Sequence, residues 1–126
     1  MSQIATVKLP IEHPEILGDY VIEHLLGHCD VAVAAAEHLA DNAREVMRGK
    51  VAPTGQIDND LLEEEQFAAH GYAWIATYVE ALRQMRAWAG RLNETGLFGE
   101  LEALMLQSAF GEYLNQLWGG ISISQG

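Results

Sequence analysis

The chain has 126 residues, 49% of them apolar and 20% charged. That is enough for one folded domain with a core, and it excludes a disordered chain. The net charge of −11, from 18 acidic and 7 basic residues, repels phosphate backbones and anionic lipid, so nucleic acid and membrane surfaces are poor partners.

A single cysteine, Cys29, makes no internal disulfide and points to no oxidising compartment. No basic segment leads into an apolar one at the N-terminus, and no run of about 18 apolar residues occurs. A cytoplasmic protein is the expectation.

Residues 1–13 read as extended or irregular, punctuated by Pro10, and Pro14 suits a first helical turn. A helical apolar pattern follows from Glu15 to Arg48, weakened at Gly18 and Gly27. Two readings compete: one helix over about 19–48, or a break near Gly27 with Asp30 as a new N-cap. The stripe continues across Gly27, which favours one helix. Gly49 suits the position just past its end. Residues 50–58 hold Pro53 and Gly55 and read as a loop.

Asp60 and Glu63 have the spacing of a capping box, and Glu63, Glu64 and Glu65 crowd a helix start. The pattern then predicts a long helix over Asp60–Leu92. Phe67, Gly71, Trp74, Tyr78, Ala81, Met85, Trp88 and Leu92 recur there in steps of three and four. Arg83, Arg86 and Arg91 cluster on it, placed to pair with Glu80 and Glu94 or with acids of a neighbouring helix. Gly96 suits its C-cap. A third helix begins near Phe98 or Gly99. It carries Leu106, Phe110, Leu114, Leu117 and Ile121 on one face, flanked by Tyr113, and stops at Gly119 and Gly120. The ending ISISQG has no cap or polar tail and reads as a cut within a longer polypeptide.

The fold class is therefore all-α: an up-down bundle of three long helices, or four if the first breaks near Gly27. The expected organisation is a single helical domain, 1–126, forming the N-terminal part of a longer chain. Three long helices leave an open face for a partner or a second copy. Trp74, Tyr78, Trp88 and Trp118 are the candidate partner surface, because three indoles are hard to bury in so small a bundle.

Catalytic signals are weak. His24 and His28 are spaced i,i+4 beside Cys29, and His70 precedes Gly71. A metal would need further converging ligands, and no Glu stands three residues before a His. The favoured assignment is no metal, no catalytic and no cofactor-binding residue in this chain. No phosphate loop, nucleophile elbow or dinucleotide fingerprint is present.

The string HGYAWIATYVEALRQMRAWAGRL from His70, with FGELEALMLQSAFGEYLNQLWGGISISQG from Phe98, resembles a segment of the acyl-CoA dehydrogenase family. It is similar to the helical N-terminal extension of methylsuccinyl-CoA dehydrogenase-like members, well over the second half of the chain and loosely over the first. The resemblance implies an FAD flavoprotein oxidising an acyl-CoA at its α,β carbons, with a carboxylate base and hydride transfer to the flavin. Those groups belong to the core that follows the extension, so none is carried onto a residue here. It also implies a catalytic core as partner, in the same or a separate chain, within a homo-oligomer. The alternative readings are a self-associating helical bundle and a metal-binding bundle using His24, His28 and His70.

Overall fold

A computed structural model describes residues 20–119. Expectations for residues 1–19 and 120–126, including Pro14, Ile121 and the ISISQG ending, lie outside the described residues. Four helices are present among the described residues: α1, Leu25–Val51; α2, Asn59–Glu64; α3, Gln66–Glu94; and α4, Glu100–Gly119. No strand occurs among them. The all-α bundle of three long helices is what forms.

The first helix passes unbroken through Gly27, and Asp30 lies within it. Its start moves from about residue 19 to Leu25. His24 sits in the left-handed region at φ 56°, which helical propagation cannot cross. Its end moves past Gly49 to Val51, a buried side chain. The Ala52 amide closes the last turn on the Arg48 carbonyl at 2.8 Å. Arg48 and Lys50 lie in that turn, against the negative end of the dipole.

The expected helix over Asp60–Leu92 divides at Glu65, whose φ of −103° and ψ of 28° separate α2 from α3. The fourth helix thus arises from this break and not from Gly27. The N-cap is Asp58, not Asp60: its Oδ1 accepts from the amides of Asp60 at 2.9 Å and Leu61 at 3.2 Å. The Asp58 amide meanwhile donates to the Val51 carbonyl at 2.7 Å. The loop is thereby closed on itself, which fixes Asp58 at the cap and leaves Glu63 outside any capping box.

The end of α3 follows the sequence. Gly96 adopts φ 75°, its amide donates to Asn93 O at 3.3 Å, and Leu97 N reaches Leu92 O at 2.8 Å. That double closure is a Schellman ending, which needs the left-handed residue that Gly supplies. One step on, Glu102 Oε1 accepts from the Gly99 amide at 3.0 Å, and α4 starts there.

Two cross-helix ion pairs set the direction of α1 against α3. Asp30 meets Arg86 and Glu37 meets Arg83, each at 2.6 Å. Rising numbers on α1 meet falling numbers on α3, so the pair is antiparallel. The turn at 95–99 reverses the chain again and brings α4 back alongside α1, parallel to it.

The core lies between the three helices. Leu25, Cys29 and Ala36 of α1 meet Val79, Leu82 and Ala89 of α3 and Ala103, Leu106, Phe110 and Leu117 of α4. The most buried line of α3 is therefore displaced by about one residue from the stripe read in the sequence. The Trp74–Leu92 stripe is one flank of that line. Tyr78, Met85 and Trp88 are partly buried against the core, while Phe67, at the other end of the stripe, is 76% exposed. The reason is geometric. A helix touching two neighbours needs an apolar arc wider than one stripe. A 20-residue α4 is also roughly 13 Å shorter than a 29-residue α3, at 1.5 Å per residue.

Candidate docking surface

The expected surface residues fall into two places. On α3, His70, Trp74 and Tyr78 follow one another at one-turn spacing. Trp74 Nε1–H donates to His70 Nε2 at 2.9 Å. That bond assigns the proton of a neutral imidazole to Nδ1. Trp74 then meets Tyr78 edge-on at 5.7 Å, and Tyr78 stacks on Tyr113 of α4 at 5.0 Å and 12°. The row of rings ties α3 to α4 and leaves Trp74 half-buried. Trp88 is half-buried farther along the same flank and packs against the core.

Trp118 stands apart, in the last turn of α4, and is 57% exposed. It borders a groove along the parallel helices α1 and α4. One end of the groove is a cleft of about 200 Å³ between Ile22, Leu25 and Cys29 on one side and Gln107, Phe110 and Leu114 on the other. The groove continues past Ala32 and Gly111 to Asn115 and Trp118. No Asp, Glu, Lys or Arg is among its lining residues, on a chain with 25 such residues, 18 acidic plus 7 basic. Loss of charge from a surface patch is the compositional mark of an interface centre.

Gln107 fixes the mouth of this groove. Its Oε1 accepts from the Ile22 amide and its Nε2 donates to the Tyr20 carbonyl, both at 2.7 Å. The amide holds the backbone where it enters α1. Sequence reading missed Gln107, Gly111 and Ala32 as a lining. The available signal was the spacing 107–111–114–118, a second line beside the core line of α4.

The charged residues serve packing. Arg86 grips Asp30 with two nitrogens, at 2.6 and 3.2 Å, and Arg83 bridges Glu37 and Glu80. Hydrogen bonds from Gln84 and Arg83 hold the Glu80 carboxyl below its usual value. Both expected kinds of pairing form, within α3 and across to α1.

The histidine set does not converge. His24 caps α1 in a left-handed conformation, so it does not share a helical face with His28. His70 is committed to Trp74 on another helix. No group of three or more His, Cys, Asp or Glu side chains that could hold a metal ion occurs among the described residues. No described helix is long and apolar enough to cross a membrane.

Burial pushes the Cys29 thiol up to about 11; Arg86 opposes this and Asp30 adds to it. The folded chain therefore holds this proton more tightly than the unfolded chain does. The associated stability is intact below the ordinary value of 9.0 and is lost as pH rises toward about 11. Urea unfolding across that range should show a falling midpoint, and Cys29→Ala should flatten that fall relative to the parent.

No family model matches the chain. Over 108 residues the sequence is 53% identical to (2S)-methylsuccinyl-CoA dehydrogenase of Cereibacter sphaeroides. The chain is related to the N-terminal domain of that acyl-CoA dehydrogenase. The match takes in 86% of this chain and 20% of the enzyme, so the chain spans about a fifth of the length of that relative. At this identity the matched stretch of that enzyme takes the same helical fold.

Proposed function

We propose that the chain is an accessory helical domain of an FAD-dependent acyl-CoA dehydrogenase, acting on an acyl-CoA such as methylsuccinyl-CoA. The observation that carries this reading is the 53% identity to one fifth of such an enzyme, in a stretch that folds as a bundle. The domain packs on the catalytic core, in the same or a separate chain, and stabilises the assembly or shapes access to it. Trp74, Tyr78, Trp88 and Trp118 supply the apolar contact area, with Trp118 the most exposed of them.

The described residues do not fit the flavin itself. No lysine or arginine lines the groove to meet a pyrophosphate. A field of −11 charges also opposes a pyrophosphate. Flavin and acyl-CoA chemistry therefore belong to the catalytic core, and no step is assigned to a residue here.

Light scattering of the chain, alone and mixed with the Cereibacter dehydrogenase lacking its matched stretch, tests the proposal. A defined complex, together with no acyl-CoA oxidation by the chain alone, is the expected result. A stable dimer indifferent to that core would establish the self-associating bundle instead.

A further inference from the structure

We propose that residues 20–24 form a strap that detaches from the bundle as one unit, with the Gln107 side-chain amide as its latch. Release uncovers the Leu25–Cys29 end of the core while α1, α3 and α4 stay packed. This movement is a property of the chain itself and does not depend on the accessory-domain reading.

Few contacts hold the strap. The Ile22 amide donates to Gln107 Oε1, and Gln107 Nε2 donates to the Tyr20 carbonyl, both at 2.7 Å. Among the described residues, no other hydrogen bond joins residues 20–23 to the bundle. Tyr20 is 65% exposed and Ile22 49%, while Val21 is partly buried against the core. Solvent-exposed hydrogen bonds and few buried apolar contacts are the physical marks of a segment that opens locally. The strap also has a hinge. His24 stands at φ 56°, just before the first turn of α1, where the His28 amide donates to the His24 carbonyl at 3.0 Å. A left-handed residue interrupts a helix, so the strap is no extension of α1 and swings without unwinding it.

Cys29 reports the movement. It lies near the start of α1 and is 2% exposed. Ile22, Leu25, Cys29 and Gln107 line one cleft, so parting Ile22 from Gln107 widens that cleft beside the thiol. Glutamine suits the latch because one planar amide offers both a donor and an acceptor. It thereby answers a backbone N–H and a backbone C=O two residues apart. A glutamate of the same shape keeps the acceptor for Ile22. At neutral pH, however, it sets a second acceptor oxygen against the Tyr20 carbonyl. The latch is therefore separable from the packing of the side chain that forms it.

The test compares the 126-residue chain with Gln107→Ala, Gln107→Glu and, as control, Gln84→Ala, whose bond to Glu80 stays within α3. Circular dichroism and urea midpoints confirm each fold. Cys29 labelling by a small thiol reagent is timed at one neutral pH, in urea below the unfolding transition. Hydrogen exchange of the Ile22 and Ala36 amides is followed by NMR. Parent labelling is expected to be insensitive to low urea, because opening the strap exposes little surface. Both Gln107 variants should label about tenfold faster or more, the scale of losing one or two hydrogen bonds. Ile22 exchange should rise in step, with exchange at the buried Ala36 unchanged. Gln84→Ala should match the parent. Parent labelling that climbs with urea as steeply as global unfolding overturns the strap. Unchanged labelling and Ile22 exchange in both Gln107 variants overturns the latch, and the proposal with it. Should those variants fail to fold, the parent still decides. Equal protection of Ile22 and Ala36 overturns the strap, and much weaker protection at Ile22 supports it.

Discussion

Replacing Leu82 by Ala is expected to destabilise the chain by about 3–4 kcal/mol, within the roughly 2–5 kcal/mol range for a fully buried leucine. Leu82 is 0% exposed and lies in the cluster that joins all three long helices. Its side chain can be replaced by no neighbour without moving a helix, so a cavity remains. Small domains hold about 5–15 kcal/mol in total, and the loss would be a large part of it. Chemical denaturation followed by circular dichroism reads the effect directly. Trp74→Phe is the control, since its half-buried ring packs at the rim, and it should cost markedly less. A loss below about 1 kcal/mol at Leu82 would mean that this site collapses freely, contrary to three helices meeting around it.

The Leu82 and Trp74 comparison also shows what the sequence could and could not convey. Helix identity was legible wherever a three-four pattern ran for several turns, as in α3 and α4. The glycine ending at Gly96 was legible too, because its chemistry is local. The exact line of burial on α3 was not. Trp74, Tyr78, Met85 and Trp88 form a valid apolar stripe, but whether it is the centre or a flank depends on where α1 and α4 lie. The break at Glu65 was equally hidden, since no proline or glycine marks it. The hydrogen bond that selects Asp58 over Asp60 depends on the Val51 carbonyl, seven residues away, and local spacing carries no trace of it.

The groove was hidden for a related reason. Its lining alternates between helices: Ala32 from one and Gly111 and Trp118 from another. In each helix alone these are ordinary residues. Only the parallel placement of α1 and α4 makes them one surface. The separation of His24 from His28 was hidden in the same way, because the backbone turns left-handed at His24 and takes it off the helix.

Enlarging Ala36 tests how closely α1 approaches its neighbours. Ala36 is 0% exposed at mid-length of α1. Ala36→Leu adds three carbons where the helices meet and is expected to cost about 1–3 kcal/mol through off-rotamer side chains and displaced backbone. The same change at Ala35, an exposed neighbour one residue away, should stay within about 0.5 kcal/mol. Denaturation midpoints of the two variants isolate packing from helix propensity, because Leu replaces Ala in one helix in both. The substitution should also strain the Glu37–Arg83 bridge, held at 2.6 Å across the same pair of helices. Restoring space by Leu82→Ala in the Ala36→Leu background then gives a second reading. If the two side chains compete for one volume, the double variant loses less than the sum of the single losses, with a coupling of about 0.5–3 kcal/mol. Strict additivity would place Ala36 and Leu82 in separate packing environments and require a different account of the α1–α3 contact.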